Sequence, residues 1–66
     1  MADPEIVVRL ASILESLIIA LKSRADHLDQ EAADYDRAGL DAQGEQRRLL
    51  ARELRAIAIA LVPEDL

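Results

Sequence analysis

The sequence predicts an all-α fold, a helical hairpin whose long first helix assembles with further chains into a multi-chain bundle. Three observations carry that expectation. Residues 6–21, IVVRLASILESLIIAL, are apolar at twelve of sixteen positions, with only Arg9, Ser12, Glu15 and Ser16 between them. Beyond Pro4 there is no Gly or Pro until Gly39. Strand-forming residues are sparse outside Val7, Val8 and the six Ile, and no stretch alternates with period two over a useful length.

The first helix starts on a strong signal. Asp3 can accept from free backbone N–H groups, Pro4 at the first helical position loses nothing, and Glu5 suits the positive helix end. Apolar residues then follow at Leu10, Leu14, Leu17, Leu21, Ala25, Leu28, Ala32 and Tyr35. Their steps of 4, 3, 4, 4, 3, 4 and 3 make a heptad with one stutter between Leu21 and Ala25. One helix from Pro4 to about residue 38 is expected. Ser23-x-x-Asp26 matches a capping box and leaves open a three-helix chain with a break near Ser23. Ser12-x-x-Glu15 matches the same pattern inside the apolar stretch, so the pattern is weak here.

Gly39 is the stop. Ala38-Gly39-Leu40-Asp41 reads as a left-handed glycine, an apolar residue and an Asp cap, the shortest kind of αα connection. A second helix is expected from about residue 42 to 62, ended by Pro63, with Gly44 tolerated in its first turn. The hairpin core is expected from Leu28, Ala32, Tyr35, Leu50, Leu54, Ile57 and Leu61, with Ala58 between them and Leu49 on a flank.

Helix length then argues for assembly. At 1.5 Å per residue the helices measure about 52 and 31 Å, so Val62 returns only to the level of residues 16–21. The first turns overhang, and they belong to the most apolar stretch of the chain. At about 100° per residue, Ile6, Leu10, Ile13, Leu14, Leu17, Ile18 and Leu21 fill about half the circumference, where one neighbour needs a stripe of about 100°. These seven residues are the expected oligomer interface. Ile59, opposite Leu50 and in line with Arg48, Arg52 and Arg55, is minor support. A two-fold dimer is the first expectation, and a cyclic ring is the other arrangement the wide arc admits.

Size points the same way. A chain of 66 residues makes one small domain, here a single helical oligomerisation domain over 1–66. Such a chain buries only about 60% of its unfolded surface alone. Disulfides, metals or oligomerisation are the usual remedies. There is no Cys, and His27 is the only His, so oligomerisation is the remedy left.

Charge sorts along the chain. Residues 24–38 carry Asp26, Asp29, Glu31, Asp34 and Asp36 against Arg24 and Arg37, while Arg47, Arg48, Arg52 and Arg55 outnumber Glu45 and Glu53 in the second helix. Antiparallel pairing lets each helix offset the other's unfavourable dipole ends. The net charge of −5 disfavours nucleic acid and anionic membranes. The acidic start, Met1-Ala2-Asp3-Pro4-Glu5, is unlike a secretory signal. The apolar stretch falls short of the ~20 residues that span a bilayer, so the cytoplasm is the default expectation.

Chemistry-bearing residues are few. His27, Glu31 and Asp34 share one helical face at a spacing that suits a divalent cation or proton transfer, but read more simply as a solvated face. The second-helix arginines suit phosphates or an acidic partner, yet acids sit opposite them in the hairpin and no aromatic residues interleave. Tyr35 continues the core stripe. No nucleophile–His arrangement or glycine-rich phosphate loop occurs, so no enzyme, cofactor, metal or small-molecule ligand is expected.

The Asp-Pro-Glu start, uninterrupted helix, Ala-Gly-Leu-Asp turn and Pro stop resemble de novo designed helical oligomers with idealised loops. That resemblance implies symmetric assembly without activity. Designs favour Lys and Glu, whereas here seven Arg accompany one Lys and Asp outnumbers Glu, a usage that also suits a small natural protein from a GC-rich genome. Self-association is the leading functional expectation. A small adaptor or regulatory module whose exposed amphipathic helix binds a different protein is the alternative.

Overall fold

The computed structural model describes residues 3–62 and contains two α-helices, α1 (Pro4–Arg37) and α2 (Asp41–Ala60). They form an antiparallel hairpin, in a chain measuring 56 by 16 by 14 Å. α1 starts as its residues dictate. Asp3 is extended and its carboxylate accepts from the Glu5 N–H at 2.9 Å, with Pro4 in the first turn. No break occurs at Ser23, so the three-helix alternative falls. The capping-box pattern loses because a cap satisfies free N–H groups only at a helix start, and in mid-helix those groups are already bonded.

The turn takes the tight form expected of glycine. Gly39 has φ 78°, the left-handed region that a side chain strains. The Gly39 N–H donates to the Asp36 carbonyl at 3.1 Å and the Leu40 N–H to the Tyr35 carbonyl at 2.8 Å, closing α1. One expectation is corrected here. Asp41 is the first residue of α2 and not its cap; Leu40 occupies the cap position with no side-chain hydrogen bond. An acid at that first position still favours the positive helix end. α2 ends at Ala60, two residues before the expected limit, and Pro63 lies outside the described residues.

The seam between the helices is made of small side chains. Ala25, Leu28 and Ala32 of α1 are buried against Gly44, Ala51 and Ala58 of α2. No large side chain is fully buried among the described residues. Along α1 the half-buried Leu14, Ile18, Leu21 and Tyr35 extend this seam. With Ile18 in place of the expected Leu17, the steps from Leu14 to Tyr35 are 4, 3, 4, 3, 4 and 3, and the stutter disappears.

On α2 the core is corrected more substantially. Leu54 and Leu61 are half-buried as edge residues, but Leu50 and Ile57 are 45% and 50% exposed. The helix is turned so that the heptad Gly44, Ala51 and Ala58 faces α1. The backbones meet closely at Gly44, where an added Cβ would lie 3.1 Å from the Ala32 carbonyl oxygen and collide with the Asp36 carboxylate. A leucine-lined seam would hold the helices further apart and swing the α2 arginines away from their acids. Gly44 is therefore a contact residue, not a tolerated weakness.

Candidate interaction surface

The hairpin has two flanks of opposite character. On one, acids of α1 meet bases of α2. Arg48 Nη1 lies 2.6 Å from Asp36 Oδ2, and Arg55 Nη2 lies 2.7 Å from Asp26 Oδ1 and 2.6 Å from Asp29 Oδ2. Arg48 also reaches Glu45 at 3.2 Å. These hydrogen bonds raise the guanidinium pKa of both residues, through Asp36 and Glu45 for Arg48 and through Asp26 and Asp29 for Arg55. Being raised, each would lose its contribution only as pH climbs through the folded value, above the ordinary arginine range. The pairing expected from the charge pattern is present, although exposed pairs of this kind add little stability. Ile59 stands exposed among Arg48, Arg52 and Arg55.

The other flank is polar near the turn and carries Arg24, one heptad on from Leu17, further along α1. Glu31 accepts from Arg47 at 3.2 Å and lies 3.1 Å from His27 Nε2. Arg47 sits 5.4 Å above the centroid of the Tyr35 ring, a cation–π contact that occupies the half-buried aromatic. Asp34 pairs with Arg37 and not with His27 or Glu31. Glu31 and Asp34 are thus drawn to different arginines while His27 stays beside Glu31, and among the described residues no group of three His, Asp or Glu is placed to hold a metal ion.

Beyond Glu31 and Arg47, with Arg24 the one charge between Glu31 and Leu17 on the α1 stripe, this flank turns apolar. α2 contributes Leu50 and Ile57, with Leu54 and Leu61 half-buried at their base. α1 contributes Leu17 and then the overhang, where every residue from 3 to 13 is exposed. Ile6, Leu10, Ile13 and Leu17, at steps of 4, 3 and 4, stand on the same side as Glu31, two heptads on from Leu17. Leu10 and Ile13 are 61% and 64% exposed. Of the expected interface residues these four are open, while Leu14, Ile18 and Leu21 belong partly to the hairpin seam.

Sequence reasoning missed that Leu50 and Ile57 join this surface. The available signal was the heptad Gly44, Ala51 and Ala58, which competes with the leucine stripe for the inward position. No helix among the described residues is long and apolar enough to cross a membrane. No family model, curated protein or solved structure matches the chain.

Proposed function

We propose that the chain is a structural, self-assembling helical protein that forms a symmetric homo-oligomer through the apolar face of α1, without catalytic activity. One observation carries this reading: among the described residues the seam within one chain buries four alanines and a single leucine, while Ile6, Leu10, Ile13 and Leu17 remain exposed along one side. An alanine methyl buries far less apolar surface than a leucine, at ~0.8 kcal/mol per buried CH₂. A helix of 34 residues held by such a seam needs more apolar burial than its own hairpin provides. The absence of any Cys leaves non-covalent association as the means.

The test is absolute mass by light scattering, with circular dichroism, over a dilution series. The expected result is one helical species at a fixed multiple of 7.3 kDa. Leu14→Asp and Leu17→Asp are each expected to give unfolded or monomeric chain, because a carboxylate on the assembled face is desolvated without a partner. A folded oligomer in both variants would remove this face from the assembly. A well-folded parent monomer would instead favour capture of a different protein by the same helix.

A further inference from the structure

We infer that the occupant of the apolar flank is the overhang of a second copy, running antiparallel to α1, in an exchange related by a two-fold axis near Leu17 and Ile18. The inference rests on the self-assembly proposed above and adds its direction and register. The first argument is length. The exposed stripe from Ile6 to Leu17 and the α2 edge from Leu50 to Leu61 each extend over eleven residue steps, about 17 Å. Their apolar positions also repeat alike. Ile6, Leu10, Ile13 and Leu17 have the spacing of Leu50, Leu54, Ile57 and Leu61. A helix laid parallel to α2 in the angle between α2 and α1 therefore meets an apolar residue at each of four levels. A shift of one heptad either way leaves two of the four without a counterpart.

The second argument is thickness. A parallel pairing of two α1 helices puts both hairpins at one end and leaves two bare overhangs at the other. Each overhang would then have one neighbour for an apolar arc of about half its circumference, more than the ~100° stripe one neighbour covers. An antiparallel pairing about Leu17 and Ile18 gives each overhang two neighbours, the partner's α1 and the partner's α2, up to the level of residue 31. The third argument is direction: antiparallel α1 helices oppose their dipoles, and parallel ones align them. Side choice follows from charge. Between Leu17 and Glu31 the chosen flank carries Arg24, whose long side chain can reach past a docked helix to water. The opposite flank carries Arg48, Arg55, Asp26, Asp29 and Asp36, whose pairs a docking helix would have to desolvate.

Because the chain has no native Cys, disulfide trapping reads this geometry directly. Ile6→Cys combined with Leu50→Cys is expected to give a covalent dimer on mild oxidation, and Ile13→Cys with Ile57→Cys the same product. Ile6→Cys alone is expected to remain uncross-linked, since the two copies of residue 6 would stand about 35 Å apart. Within one chain residues 6 and 50 are separated by a similar distance along α1, so an internal bridge cannot mimic the result. Circular dichroism establishes that each variant is folded, and the two cysteine pairs check one another.

Cross-linking by Ile6→Cys alone would overturn the antiparallel direction. An oligomeric parent with neither pair cross-linked, or a ladder beyond two chains, would overturn the register or the two-fold. Either result would leave self-assembly standing. A monomeric parent would remove the self-assembly reading itself, and this inference with it.

Discussion

Between Ala25 and Tyr35, α1 meets its neighbour through alanines, one leucine and a row of ion pairs, and the two backbones approach closely at Gly44. Between Ile6 and Ile13 the same continuous helix carries larger apolar side chains and is exposed throughout, with no neighbour among the described residues. The half with the weaker apolar content is the half that is packed. This inversion separates two tasks: small residues and charges set the direction of the hairpin, and the bulky residues are left for association. A core that used the large residues internally would leave nothing for a second chain to cover.

The largest expected effect comes from comparing equal chemistry on the two flanks. Ile13→Ser removes an exposed side chain from the apolar flank and, in a two-fold assembly, removes it twice. At about 1.5 kcal/mol or more for each side chain buried on association, dissociation should rise roughly 100-fold or more. Ile19→Ser, at a similarly exposed position on the charged side, should leave the mass profile unchanged. Equal weakening by both would mean that the flanks do not differ in function.

A change in the packed half should act on stability rather than on assembly surface. Ala51→Leu forces an isobutyl group into the position buried beside Ala25 and Leu28. Such overpacking costs about 1–3 kcal/mol, read as a lower denaturant midpoint at constant protein concentration. An unchanged midpoint would show that the helices are free to separate, and that the small-residue seam is not the close contact described here.

The smallest effect is expected at the ion pairs. Arg55→Gln loses contacts to Asp26 and Asp29, both open to solvent on the arginine's side. Screening should make parent and variant indistinguishable in high salt. Loss of helical order in this variant would assign the charges a structural weight that their exposure argues against.

Much of the fold was legible because local rules carried it. Asp3 and Pro4 mark a helix start, and Gly39 meets the left-handed requirement of the turn. The distribution of Asp and Arg selects antiparallel packing, as the pairs of Arg47, Arg48 and Arg55 with α1 acids bear out. The face of α2 was not legible. Leu50, Leu54, Ile57 and Leu61 form as good a heptad as Gly44, Ala51 and Ala58, and hydrophobicity alone ranks the leucines first.

Two helices, their turn, their antiparallel sense and a surplus of apolar surface on the first are thus written in the order of residues. Each of these follows from interactions within a few residues or from the sign of charge. Which stripe of α2 turns inward, and which flank is left apolar, emerges only when the two helices pack. That choice depends on how closely two backbones approach. The clearance at Gly44, set against Ala32 and Asp36 from the other helix, exists only once both helices are in place.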